Sequence, residues 1–279
     1  MAKEKQKGFV NFKQLFLFAK QNYFVTVIAL CVLFVGMVSV YKLFIAKPTY
    51  IYVKVKVGQG LWWANTSRPN TWFVEAIKQA KEEVDLTGQP IAQIQGVRYY
   101  RWWGGGDYNT YVTAKLKVSK LGKTGKYNFK RSTIGVGAPI DFEFPNVQFS
   151  GTIMQLSEKP LVEKYVEKTV YMTKKYAYLW EYDAMQVGDT YFDGQDTVFT
   201  LLEKQLSDTN EVIKSDTGGL INSQQAEQRK YITIKVKIKV REENGQLLFG
   251  EEYLVTQGNG IYVVTPRFGY NEYTVAKVE

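Results

Sequence analysis

The sequence predicts a mainly β protein: an N-terminal transmembrane helix followed by two tandem, duplicated small β-barrel or sandwich-like domains, each with at most one short helix. Three observations predict it. Residues 21–41 carry no charged side chain. Long stretches of the remaining chain alternate apolar and polar residues with a period of two, the pattern of half-buried antiparallel strands. The order of strand, turn and glycine signals in residues 50–157 recurs in residues 163–279.

The apolar run is the first element. Its centre is VTVIALCVLFVGMVSV, Val25 to Val40. At about 1.5 Å per residue, the uncharged stretch spans about 31 Å as a helix, close to the hydrocarbon thickness of a bilayer. Lipid offers no partners to backbone polar groups, so only a helix satisfies them there. The span is placed at 23–46, with Tyr23, Phe24, Tyr41 and Phe44 as interfacial aromatics and Lys42 and Lys47 reaching for the headgroups. A cleaved signal peptide fits less well: its apolar region runs about 7–15 residues ahead of a small-residue site, and no such site follows here. Leu30 before Cys31 disfavours a lipoprotein site.

Residues 1–22 form a basic tail, with Lys3, Lys5, Lys7, Lys13 and Lys20 against Glu4. That composition predicts a cytoplasmic N-terminus and places the bulk of the chain on the outer face of the cytoplasmic membrane. Lys42, Lys47, Lys54 and Lys56 on the other side narrow the bias. Phe9, Phe12, Phe16 and Ala19 share a helical face that suits the inner membrane surface, or a helix running on into the span.

From Lys47 onward 30 basic and 26 acidic residues remain, too even a balance for a nucleic-acid footprint. The chain has no His and one Cys. The commonest general base, the His-dependent nucleophile systems, most zinc sites and all disulfides are thereby removed. No phosphate-binding glycine loop and no nucleophile elbow is present. Asp189, Asp193 and Asp196 lack the spacing of a calcium loop and read as turn residues. No pair of carboxylates stands out for glycoside hydrolysis. The expectation is a protein without catalysis, metal or cofactor.

The body opens with YIYVKVKV at 50–57, alternating Ile51, Val53, Val55 and Val57 with Tyr52, Lys54 and Lys56. A helix is predicted over TWFVEAIKQAKEEV, residues 71–84, with Phe73, Val74, Ile77 and Val84 on one face and Asn70 or Thr71 as its cap. Tyr111 opens YVTAKLKV and Tyr231 opens YITIKVKI, matching Tyr111 to Tyr231, Lys115 to Lys235 and Lys117 to Lys237. Turns follow at 121–125 and 242–245, where Asn244-Gly245 is a strong hairpin signal. Strands with Phe129 and Phe249 come next, then glycine turns, then strands from Ile140 and Ile261. GTIMQL and YTVAKV close the copies. Upstream, GQPIAQI parallels GQDTVFTLL, and YIYVKVKV is set against YVEKTVYM at 165–172. The domains are placed at 50–157 and 163–279, joined by SEKPLV, with a loop insertion at 207–230. The lysine rows on these strands read as the wet faces of sheets.

The layout resembles a group of single-pass bacterial membrane proteins with a short basic tail, one span and an exoplasmic β domain carrying a V-G-D turn. Here that turn is Val187-Gly188-Asp189, with Gly194 after it; the first copy has Glu83-Val84-Asp85 in its place. That group has no assigned activity, so the resemblance implies location and fold only.

Candidate binding residues come from the aromatic content. Five of the six Trp fall between residues 62 and 103. Adjacent strand residues point to opposite faces, so neighbouring rings cannot all enter one core. Trp62, Trp63, Arg98, Tyr100, Arg101, Trp102, Trp103 and Tyr108 form the candidate surface for a partner protein or a glycan. The expected role is a scaffold or assembly component of the cell envelope. Its expected partners are the membrane, other envelope proteins or a second copy of itself, with no nucleic acid. The alternative is binding of glycan or cell-wall polymer.

Overall fold

A computed structural model describes residues 21–41, 49–58, 68–102, 106–121, 125–208, 213–214, 220–221 and 229–279. The chain divides into two compact units, Met1–Pro48 and Thr49–Glu279.

In the first unit, helix α1 (Tyr23–Val40) is long and apolar enough to cross a membrane. None of its side chains is buried. Thr26 folds its hydroxyl back onto the Asn22 carbonyl at 3.1 Å, which keeps that polar group satisfied within the helix.

The second unit is mainly β. Its first sheet holds β1 (Thr49–Val57), β2 (Glu82–Val84), β3 (Pro90–Arg101), β4 (Tyr108–Leu121), β5 (Lys126–Phe129), β6 (Ser132–Ile134), β7 (Pro139–Phe144) and β8 (Val147–Ser157). The order is β2-β3-β4-β1-β8-β7, with β5 pairing β4 and β6. Helix α2 (Thr71–Gln79) lies in sequence between β1 and β2.

The second sheet holds β9 (Tyr165–Tyr178), β10 (Thr190–Phe192), β11 (Thr197–Asp208), β14 (Arg229–Glu243), β15 (Gln246–Phe249), β16 (Tyr253–Leu254) and β19 (Thr274–Val278). Two short ribbons accompany it, β12 (Ile213–Lys214) with β13 (Leu220–Ile221) and β17 (Val263–Val264) with β18 (Gly269–Tyr270). Helix α3 (Leu179–Ala184) lies between β9 and β10. Pairing runs β10-β11-β14 and on through β9 to β19, while β15 and β16 extend β14.

The two orders coincide over five strands, β2-β3-β4-β1-β8 in one sheet and β10-β11-β14-β9-β19 in the other, while β7 has no counterpart in the second sheet among the described residues. Turn geometry repeats as well. Lys130 and Arg131 both have positive φ between β5 and β6, as Gly250 and Glu251 do between β15 and β16. Register refines the sequence comparison. Lys115 faces Tyr52 and Lys235 faces Tyr171, so Tyr52 corresponds to Tyr171, whereas the sequence comparison set it against Glu167.

Each sheet carries its own core. Ile51, Val53, Val55, Val112, Ala114, Leu116 and Phe142 fill the first. Val170, Met172, Phe199, Ile232, Ile234, Val236 and Tyr270 fill the second, which also takes Tyr100 and Tyr111 from the first sheet. Asn244 and Gly245 both have positive φ at the β14–β15 turn, which a two-residue hairpin of this hand requires.

Two expectations need correction. The helix predicted over 71–84 ends at Gln79; Ala80 is extended, and Glu82–Val84 is a strand. Glu83 is drawn inward there, pairing with Lys130, and leaves Val84 exposed. Lys54 is not on a wet face. It is buried, because β1 is covered on both sides.

Candidate functional site

β2 covers only the start of β3, pairing residues 82–84 with 90–93. Beyond that point the outer edge of β3 would present bare N–H and C=O groups. The β10–β11 turn lies on it instead. The Tyr99 N–H donates to the Asp193 carbonyl at 2.8 Å. The Arg101 N–H donates to the Tyr191 hydroxyl at 3.1 Å, and that hydroxyl donates to the Tyr99 carbonyl at 2.9 Å. The fit is close at Gly194, whose φ is +104°; a Cβ there would meet the Tyr99 ring at 2.6 Å and the Val97 carbonyl oxygen at 2.8 Å. Glycine is the residue that both the backbone conformation and the space allow.

Side chains complete the seam. Asp193 is fully buried and takes the Arg98 guanidinium and, at 2.8 Å, the Tyr100 hydroxyl on one carboxylate oxygen. Its other oxygen accepts from the Gln195 and Asp196 N–H groups, both at 2.9 Å. Arg98 also reaches Asp196 at 2.8 Å and stacks over Tyr165 at 4.3 Å, while Lys239 holds Asp196 at 2.6 Å. Burial opposes the charge on Arg98, but Asp193, with Tyr165 and Asp196, outweighs it and holds the guanidinium pKa above its ordinary value. The hydrogen bond from Lys239, supported by Arg98, holds the Asp196 carboxyl below the usual range.

A second cluster lies where the β15–β16 turn meets β1. Glu251 is buried and contacts Lys54, Arg241 at 3.0 Å and the Tyr165 hydroxyl at 2.6 Å. Glu163 holds the other side of Lys54 at 2.6 Å and accepts from Tyr165 at 2.9 Å. Burial raises the Glu163 pKa, and Lys54 more than reverses it, so the carboxyl sits below its ordinary value. Burial pushes the Tyr165 and Tyr100 phenols well up, keeping both protonated as donors. Every buried charge in the two clusters thus faces an opposite charge, the condition under which buried ions persist. Chemically this is a clasp: its carboxylates are held by cations on closed contacts.

The predicted site residues separate accordingly. Arg98 and Tyr100 are buried in the clasp. Arg101 is exposed, and Trp102 and Tyr108 are half-buried. Trp62, Trp63 and Trp103 lie outside the described residues. Trp102 carries the Arg68 guanidinium at 3.7 Å over its ring, and Arg68 donates to the Asn109 side-chain oxygen at 3.0 Å. Tyr99 meets the edge of Tyr108 at 5.6 Å and lies under Lys78 at 5.2 Å. An aromatic and cationic surface therefore sits at the turn end of the β3–β4 hairpin, where Arg101 pairs with Tyr108.

Sequence reasoning passed over Glu163, Tyr165, Arg241 and Glu251, and set Lys54 on a wet face. The available signal was the pairing of acids in two turns, Asp193 with Asp196 and Glu251 with Glu252, opposite strands that carry Arg98, Lys54 and Lys56. It also passed over Trp180, which is 61% exposed as the second residue of α3; Trp72 is 70% exposed as the second residue of α2. Among the described residues no group of acidic, His or Cys side chains is arranged to hold a metal ion. Comparison with protein families, with curated proteins and with solved structures finds no match.

Proposed function

We propose that this protein is a non-enzymatic, membrane-anchored scaffold or assembly component of the cell envelope, acting through protein contacts of two β domains that are copies of one unit. The observation that carries this reading is the shared strand order of the two sheets, tied by interlocking turns and paired charges within one compact unit. Such a body presents repeated surfaces in a fixed relation, which suits contact-based assembly and needs no bond-making group. In this reading α1 is the membrane span, the basic N-terminus is cytoplasmic and the β body is on the outer face.

The test is site-directed crosslinking of the full chain in its native membrane, with protease access from each side to fix orientation. The reading expects discrete crosslinked species through the β body. A chain that yields none, or whose body is cleaved only from the cytoplasmic side, overturns it.

The second reading, glycan binding, is favoured by the surface around Trp102, Arg68, Tyr99 and Tyr108. Trp102→Ala would then weaken retention on cell-wall glycan while leaving the melting temperature in place.

A further inference from the structure

The contact between the two sheets is directional. The second sheet offers its β10–β11 turn, and the first offers the outer edge of β3. Because the strand orders coincide, each sheet owns both surfaces, and one of each is left over. The unused turn is Asp85–Gln89 between β2 and β3, where Leu86 is fully exposed and Val84 is about half exposed. Gly88 has positive φ there, as Gly194 does in the used turn. The unused edge is β11. β10 pairs only residues 197–200, and among the described residues no strand lies along its outer side from Leu202 to Asp208.

Register makes the correspondence specific. Val97 faces Val112 and Leu206 faces Ile232, so exposed Leu206 stands where Val97 is covered. By the same pairing Ser207 stands in the place of Arg98, and Thr173 in the place of Lys54. On the unused turns Thr87 precedes the positive-φ glycine where Asp193 does, and Arg131 takes the position of Glu251. At the matched positions the free turns carry Thr87 and Arg131 in place of acids, and the free acceptor face carries Ser207 and Thr173 in place of cations. The Asp85 carboxylate is engaged within its own turn by the Thr87 and Gln89 N–H groups. Docking there opposes no like charges at these positions and offers Leu86 and backbone contact instead.

We propose that a second copy of this chain docks its Asp85–Gln89 turn on the β11 edge, so that chains associate head to tail. The interface is heterologous: it closes into a ring or runs on as a filament, according to the rotation per copy. The inference rests on the scaffold reading and names its partner.

The experiment uses the full chain in detergent, in a Cys31→Ser background, with Leu86→Cys and Leu206→Cys on separate chains. Mixing the two variants under mild oxidation is expected to give a disulfide-linked pair, which neither variant gives alone. Both changes on one chain are expected to give a ladder or a closed ring. Leu86→Asp without cysteines should weaken association about tenfold by sedimentation, since a charge would be carried into an apolar contact. Crosslinks only within single-variant samples indicate a two-fold contact and overturn the inference. So does a chain that sediments as one copy at its highest soluble concentration. A single copy that still crosslinks to a defined envelope protein overturns head-to-tail association while the scaffold reading stands.

Discussion

Asp193→Ala tests whether the seam holds the body together. The change removes a carboxylate with four contacts: Arg98, Tyr100 and two N–H groups of its own turn. Breaking a buried ion pair by deleting one partner costs about 3–5 kcal/mol, because the other charge stays behind. Here Arg98 keeps Asp196 at 2.8 Å and the Tyr165 ring at 4.3 Å, which places the loss near the low end, about 3 kcal/mol. For a body of this size each kcal/mol moves the melting temperature by roughly 2–4 °C. The expected fall is therefore about 6–12 °C by circular dichroism or calorimetry. Asp196→Ala is the internal control. That carboxylate is partly solvated, and its removal leaves Arg98 paired with Asp193, so about 1 kcal/mol is expected. Equal shifts for the two variants, or a fall under about 2 °C for Asp193→Ala, would refute the view that the buried pair dominates the seam.

Further expectations follow from the same geometry. The depressed Glu163 and Asp196 pKa values mean that stability is fully present above the ordinary carboxylate values of 4.5 and 3.8 and is lost as pH falls through the lower folded values. Melting temperature should fall on acidification from pH 5 to pH 3, and Glu163→Gln should flatten that slope; an unchanged slope would count against the Lys54–Glu163 contact. Gly194→Ala should destabilise by about 2–3 kcal/mol, while Gly88→Ala, with open space at a similar φ, should cost about 1 kcal/mol in denaturant melts. Trp72→Ala and Trp180→Ala should each leave the melting temperature within about 2 °C, since both rings are mostly exposed; a large fall would show that they are structural.

The legible part of this fold is the part governed by one face of one strand. In β14 the alternation of Ile232, Ile234, Val236, Ile238 and Val240 with lysines reports the core directly, and all five are buried. The Asn244-Gly245 turn was equally readable, because its geometry needs residues that tolerate positive φ. Period two says nothing about what covers the other face. In β1 it marks Ile51, Val53 and Val55 as core and leaves Lys54 by default to water. Whether Lys54 meets solvent or Glu251 is decided by a turn about 200 residues away in the chain, and no local pattern carries that information. The same holds for Arg98 and Tyr100, which read from β3 alone as part of a binding surface, whereas Asp193 occupies both.

That distinction also explains the asymmetry between the two sheets. In the proposed duplication the join within the chain is heterologous, so one copy of each surface is used and the other is not. The committed surfaces carry the paired ions, Lys54 and Arg98 on one side and Asp193 and Glu251 on the other. The matching positions of the other two carry Thr173, half-buried, and Ser207, exposed, and Leu86 lies on an exposed turn. Buried ion pairs fix one geometry at high cost for any mismatch, which suits a permanent join within a chain. A turn that offers Leu86 and backbone groups to a strand edge, with no buried ion pair, would let the proposed contact between chains form and release.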